Sequence, residues 1–512
     1  MGRVIYKLPL SALAGVVVDI APNATVGCYR LIDCLQYTSA RILSIQEFSD
    51  ASSLSYSAIS YIWKGNPSPE QEKTASFSVK GAEDADPVSI DVLHQACMAS
   101  LLEGADWLWL DCLCIIQTSR DDKAWQIERM YNIYKACAVS IVLPGGVSRL
   151  VPVDEETRWI TRAWTLQEVT APRKAVVLFS WEYGAGEWDD GRGGVKGRVI
   201  QVYPGTAMVP LIEVLKACFH PMALSWTPED GPSSRDDISP SILGSYGDSS
   251  IGSLLWVLEM DDPDGRNVAI WRSSLLRASS RPVDMVFSIM GTFGVTLDPK
   301  QFRKTDRIGA TIALAQQILR LGGKPVWLAL SLDIPPSRCL SSFPAFPETD
   351  VSGDVHWETR HGPTNPNVAD DIYSIDELNE TSDEDEEDEG ENASDIFFDE
   401  HWVTDIPSGS MDHDGYLTIS AKAAPAVFTG QVFGRRRTNL AKNNDGTVEF
   451  ADVPEDSTRV AATDGKIWDI LPPPPPPSES RRHRNPLANM PFDIHSFYWC
   501  IPKVSPRSCL PA

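Results

Sequence analysis

The sequence predicts an α/β protein. A parallel sheet is expected over residues 1–185, a mostly helical extension over 186–338, and a long disordered acidic and proline-rich region over 339–485 before a short tail, 486–512. Three observations carry this. Short apolar runs alternate with amphipathic stretches through the first 185 residues, the order that builds βαβ units on a parallel sheet. Residues 186–335 mix Gly- and Ser-rich loops with helical stretches. Residues 376–400 then hold 14 Asp and Glu with no Lys or Arg, and Pro472–Pro477 are six consecutive prolines. Neither segment can bury a core; the first repels itself and the second is a polyproline spacer.

The elements follow in order. The mostly apolar stretch Leu8–Val18 after Lys7 mimics a signal-peptide core, but Pro9 interrupts it, and a buried strand is expected. Arg41–Ile45 and Ser57–Trp63 read as strands. Ser89–Glu103 reads as a helix, because Ile90, Leu93, Ala96, Cys97 and Leu101 recur at three or four, and Gly104 stops it. Trp107–Asp111 is a short continuous apolar run, the signature of a strand buried on both faces. A helix follows over 121–138, capped by Ser119, with Asp121 and Asp122 at its positive end. Val139–Leu143 is the next strand, closed by Pro144-Gly145-Gly146. A helix through Trp159–Val169 and a strand at Ala175–Phe179 complete the pattern. Past it, Val283–Gly294 is apolar enough to pack on the first domain, and Ile308, Ile312, Ala315, Ile318 and Leu319 line one side of a helix over 307–321.

Composition bounds the function. The chain has 512 residues, room for about three domains at roughly 150 residues each. Its net charge is −25, of which −11 lies outside the acidic block. Such a chain is a poor match for nucleic acid phosphates. No run of 18 apolar residues exists, so no membrane span is expected. The ten cysteines are scattered, and Cys112 and Cys114 suit neighbours on one strand face; reduced thiols and a cytoplasmic location are expected. Arg435–Arg437 and Arg481–Arg484 read as solvated linker charges. Phosphate-loop, dinucleotide-fingerprint, zinc-ligand and nucleophile-elbow patterns are all absent, and the eight histidines are dispersed. No metal and no resident cofactor are expected.

What remains is carboxylates and tryptophans near strand ends. In open α/β sheets ligands bind outside the carboxyl ends of the strands, which directs attention to Asp111 and to the Gly145-Gly146 loop. Arg162-Ala-Trp-Thr-Leu-Gln-Glu168 places Trp164 and Glu168 on one helix face. A Trp beside a carboxylate makes an apolar wall that raises its pKa. The same pair also suits a core Trp with a rim glutamate ion-paired to Arg162, and Asp111 also suits a simple turn cap.

Tyr61-Ile-Trp63, Leu108-Trp-Leu-Asp111-Cys-Leu-Cys-Ile-Ile-Gln117 and Arg162–Glu168 resemble, in order and spacing, the three blocks of the fungal HET (heterokaryon incompatibility) domain. The intervening helix, with Met130, Ile133, Tyr134 and Ala136, is similar as well, so the resemblance spans about residues 50–180. Two departures stand out: Lys64 separates Trp63 from Gly65, and Ile116 replaces an Asn usual in the family. HET domains are in turn similar to TIR domains, which implies a TIR- or flavodoxin-like sheet. That resemblance implies NAD as substrate and Glu168 as the catalytic residue, with Asp111, Trp164, Trp63, Arg162 and Gln117 lining the site. It also implies a role in non-self recognition and regulated cell death. The competing class is a non-enzymatic module that self-associates and recruits partners through its acidic and proline-rich tail. An open pocket above Asp111 with Glu168 pointing into it favours the enzyme; a salt-bridged Glu168 on a closed surface favours the module.

Overall fold

The computed structural model describes residues 2–67, 75–229 and 235–329, and beyond them only short segments such as 408–415. The acidic and proline-rich region expected over 339–485 lies almost wholly outside the described residues, and the tail over 486–512 entirely so.

The first compact unit comprises Met1–Met260 with Arg272–Ala310 and Pro347–Val355. Its strands and helices alternate. They are β1 (Arg3–Pro9), β2 (Val17–Val18), β3 (Tyr29–Asp33), α1 (Cys34–Thr38), β4 (Ile42–Phe48), β5 (Tyr56–Tyr61), β6 (Ser76–Val79), β7 (Val88–Ser89) and α2 (Ile90–Leu102). Then come β8 (Trp107–Trp109), α3 (Asp111–Cys114), α4 (Arg120–Ala136), β9 (Val139–Leu143), α5 (Ala163–Thr170) and β10 (Ala175–Ser180). The extension adds β11 (Gly186–Asp189), β12 (Lys196–Tyr203), β13 (Thr206–Pro210), α6 (Leu211–Cys218), β14 (Leu224–Pro228), β15 (Arg235–Ile238), α7 (Ser249–Glu259), α8 (Pro263–Leu275), α9 (Asp284–Met290) and α10 (Arg307–Arg320).

Twelve strands form one mixed sheet in the order β1-β4-β3-β8-β5-β9-β10-β13-β12-β11-β14-β15. Parallel pairing is confined to the centre, β8-β5-β9-β10. These strands read as apolar runs because β5 and β9 are buried at every position. Both flanks are antiparallel, so the parallel sheet expected from the sequence is the core of a larger mixed one. The helices start where their caps dictate. Ser89 and Ser119 accept from the amides of Val92 and Asp122 at the starts of α2 and α4.

Three expectations are corrected. The stretch Leu8–Val18 is not one strand: β1 stops at Pro9, which has no N–H for a ladder, and the chain turns through Leu10–Ala12. Cys112 and Cys114 lie in the single turn α3 and not on a strand; both are buried, and burial pushes the Cys114 thiol up to about 12. The extension is not mostly helical at its start, since residues 186–238 supply five strands to the sheet. In this part glycines replace side chains where tryptophans lie across the neighbouring strand. Gly197 pairs with Trp188, and a Cβ there would enter the indole.

The helix start is fastened by a fully buried ion pair. Arg30 on β3 grips both oxygens of Asp122 at 2.8 and 2.9 Å, and also donates to the carbonyls of Cys114 and Thr25. The amide of Ile116 adds a third donor to the same carboxylate. The loop between α3 and α4 is thereby tied to the sheet. Asp121 points the other way, to an ion pair with Lys300 at 2.6 Å.

The second unit comprises Asp261–Trp271, Thr311–Phe346 and His356–Ala512. Among its described residues Trp271 and Trp327 meet edge to face, Lys324 pairs with Asp264 at 2.6 Å, and Gly409–Met411 forms a hairpin with Leu417–Ile419. No helix among the described residues is long and apolar enough to cross a membrane.

Candidate functional site

Parallel pairing sets the site. Tyr56 lies opposite Trp107 and Ala58 opposite Trp109, so the carboxyl ends of β5 and β8 finish side by side. Ser60, Tyr61 and Trp63 leave one end, and Asp111 leaves the other. Three donors hold the Asp111 carboxylate: Tyr61 Oη at 2.5 Å, Trp63 Nε1 at 2.9 Å and the Cys112 amide at 2.5 Å. Gln117 donates to the Asp111 carbonyl at 2.9 Å, fixing the backbone beneath. Burial pushes the Asp111 carboxyl up; Tyr61 and Trp63 pull it back, as does the charge of Lys123.

Glu168 reaches the same place from α5. Ser60 Oγ donates to its Oε2 at 2.6 Å, and Trp159 Nε1 donates to Ser60 Oγ at 3.0 Å. Burial pushes the Glu168 carboxyl up to about 8, and the charge of Asp111 adds to the rise. The Ser60 hydrogen bond, Arg277 and Arg162 oppose it. Glu168 and Asp111 are partly open to solvent while the atoms around them strip most of their hydration. Both are carboxyls that burial desolvates without wholly closing their residues to solvent. Among the described residues Glu168 has no ion-pair partner.

The extension closes the back of the site. Ala278 exchanges backbone hydrogen bonds with Thr161 and Ala163 at 2.7 and 2.9 Å, stitching it to the start of α5. This buries Arg277, whose Nη1 donates to Thr165 Oγ1 at 2.6 Å and to the Arg162 carbonyl at 2.9 Å. Burial draws Arg277 down to about 9, against the opposing charges of Glu168 and Asp248. On the front, Trp164 Nε1 donates to Asp284 of α9 at 3.2 Å.

The two strand ends singled out by the sequence also meet. Gly65 lies flat on the Gly145-Gly146 backbone, and a Cβ on Gly65 would collide with the Gly145 carbonyl. Asp86 clamps the same loop, accepting from the Gly65 amide at 2.7 Å while its own amide donates to the Trp63 carbonyl at 2.7 Å. Lys64, the extra residue, is exposed. Ile116 is buried in the core.

Of the residues expected from the sequence, the structure bonds Trp63 to Asp111 directly and sets Glu168 within electrostatic reach of Asp111. Arg162 stands near enough to act on Glu168 and Asp284 electrostatically. Gln117 supports Asp111 from below, and Trp164 turns toward α9. Sequence reasoning missed Ser60, Tyr61, Trp159, Arg277 and Asp284. Tyr61 opens the first block, Ser60 adjoins it and Trp159 precedes the third, so the blocks were their signal; Arg277 had none.

No curated protein and no solved structure matches the chain. Residues 56–150 match the family model of the heterokaryon incompatibility protein (HET), a segment that includes β5, β8 and Asp111 and ends before Glu168. The chain therefore carries a domain of the heterokaryon incompatibility (HET) family.

Proposed function

We propose that this protein acts in fungal non-self recognition and regulated cell death, in the cytoplasm, and that its HET domain cleaves NAD to nicotinamide and ADP-ribose in a TIR-like site. The observation that carries this reading is the Glu168 carboxyl, desolvated yet accessible, fixed by Ser60 and set beside Asp111. Breaking the bond between nicotinamide and ribose builds oxocarbenium character on the sugar. An ionised Glu168 accepting hydrogen bonds from the ribose hydroxyls stabilises that charge more in the transition state than in the ground state. Nicotinamide leaves as a neutral ring from its cationic form, so no strong acid is needed. Water adds to the ribose carbon and loses one proton. The pyridinium of bound NAD also favours the ionised form of Glu168, the charge state that burial disfavours.

The test is nicotinamide release from NAD by the full-length chain, with Glu168→Ala alongside. Release that disappears in the variant supports the reading. A folded chain that releases none at high concentration sinks it in favour of a non-enzymatic assembly module.

A further inference from the structure

We propose that Arg277, supplied by the extension from outside the family-matched segment, is a positioning residue of the site: it fixes the start of α5 and, through Thr165, Trp159 and Ser60, the place of the Glu168 carboxyl. The inference rests on the NAD-cleavage reading for the role of Glu168 and adds the residue that aims it. A chain of hydrogen bonds carries the link. Arg277 Nη1 donates to Thr165 Oγ1 at 2.6 Å and to the carbonyl of Arg162, the N-cap residue of α5, at 2.9 Å. The Thr165 hydroxyl turns its own proton to the carbonyls of Arg162 and Trp159, at 2.8 and 3.0 Å. The Trp159 indole donates to Ser60 Oγ at 3.0 Å, and Ser60 donates to Glu168 Oε2 at 2.6 Å. Glu168 stands three residues after Thr165 on the same helix, so the bonds close a ring from α5 through Trp159 and the end of β5 back to α5.

α5 depends on such a clamp. It has only eight residues, too few to be stable alone, and no side chain caps its start, whereas Ser89 and Ser119 cap α2 and α4. The extension supplies the missing fastening from two sides. Ala278 exchanges backbone hydrogen bonds with Thr161 and Ala163, which brings the neighbouring Arg277 to the first turn. Asp284 accepts from the Trp164 indole at 3.2 Å on the other side of that turn. Ser273, one turn before Arg277, receives its Nε at 3.4 Å.

The place is a costly one for an arginine. Arg277 is almost wholly buried, both acceptors of its Nη1 are neutral, and a cation at the start of a helix opposes the helix dipole. Ionised Glu168 offsets part of that cost, since its charge acts on Arg277 together with that of Asp248. The attraction is mutual, so Arg277 both aims Glu168 and favours its charged form. Arg277 has no contact with the reacting atoms in this arrangement; it acts through α5 and Trp159.

The test is hydrogen exchange at the Trp159 indole in the full-length chain, read by nuclear magnetic resonance and assigned with Trp159→Phe. Trp188, buried on β11, is the reference. In Arg277→Met and in Thr165→Val, exchange at Trp159 is expected to quicken about tenfold more than at Trp188, because one bond of the ring is lost locally. Arg277→Lys keeps a cationic donor and should restore part of the protection. Nicotinamide release should lose about tenfold in kcat with KM unchanged, since a misaimed carboxylate weakens the transition state and not substrate binding. Thr165→Val removes one hydroxyl and stands as the test even if Arg277→Met does not fold. Equal quickening at Trp159 and Trp188 marks a merely structural arginine and overturns the inference, as does a kcat untouched by a loosened Trp159. A wild-type chain that releases no nicotinamide sinks the cleavage reading, and the exchange rates alone then decide whether Arg277 positions the ring.

Discussion

The hydroxyl of Ser60 donates a 2.6 Å hydrogen bond to Oε2 of Glu168, joining the end of a central strand to a helix 108 residues later in the chain. Trp159 holds the hydroxyl in place from the other side. The bond stabilises the ionised carboxyl, against burial and the charge of Asp111. Ser60→Ala removes that support while keeping the Glu168 carboxyl. The pH profile of nicotinamide release is expected to rise with an apparent midpoint near 8 in wild-type kcat/KM, where Glu168 ionises in the free protein. In Ser60→Ala the midpoint moves up by about one unit, since a hydrogen bond to a charged group contributes roughly 1.5–3 kcal/mol. The kcat profile should rise at lower pH, because the bound pyridinium favours the carboxylate. A midpoint unmoved by Ser60→Ala removes Ser60 from this role.

The same carboxyl makes stability depend on pH. Glu168 titrates at about 8 in the folded chain and near 4.3 in an unfolded one. Between those values the folded chain holds a proton that the unfolded chain has released, so stability falls as pH rises from about 5 to 8 and levels off above. Asp111 and Asp284 are also raised, mainly by burial, and contribute with the same sign. Denaturant midpoints measured across this range should decline, and decline less steeply in Glu168→Gln. Equal slopes in the two proteins would contradict a desolvated Glu168.

The buried pair of Arg30 and Asp122 is the element most costly to break. Asp122→Ala strands the guanidinium of Arg30, which has no exposure at all, and a loss of about 3–5 kcal/mol is expected. The damage should reach Asp111, because the Ile116 amide and the Cys114 carbonyl are held by the same pair. Urea unfolding measures the loss. Arg30→Met combined with Asp122→Leu should recover only part of it, since the carbonyls of Thr25 and Cys114 lose their donor.

These contacts mark what the sequence made legible. The central strands could be read because burial on both faces leaves nothing polar to interrupt β5 and β9. Ser119 announced α4 because a cap is a local bond. Asp122, by contrast, reads as a residue favouring the helix dipole, and its partner lies 92 residues away with no local signal. Lys196–Tyr203 alternates in burial as a strand should, but its first inward position is Gly197, and Gly191, Gly193 and Gly194 just before it read as loop. Glu168 was legible through its block. The tryptophan bonded to its partner Ser60 is Trp159 and not Trp164, because α5 is preceded by a separate turn, Trp159–Thr161, that re-aims the chain.

Gly65 is where backbone conformation bears most directly on the site. It packs on Gly145 and Gly146, and Gly146 itself holds a φ of 93° that favours glycine. Gly65→Ala places a methyl group where the Gly145 carbonyl oxygen stands, so one loop must retreat. The loop of Gly65 also carries Trp63, whose indole donates to Asp111 at 2.9 Å. A shift of the order of one ångström is enough to break that bond, and the carboxyl then loses one of its three donors. The expected result is a stability loss of about 1–3 kcal/mol, typical of overpacking, together with a fall in nicotinamide release larger than the fall in folded fraction. Lys64→Ala is the control: the side chain is exposed, and a change within about 0.5 kcal/mol is expected. Urea unfolding and near-ultraviolet circular dichroism of the tryptophans would follow both variants. A Gly65→Ala protein with wild-type unfolding and activity would mean that the loop tolerates the methyl group and that the close approach to Gly145 does not set the position of Trp63.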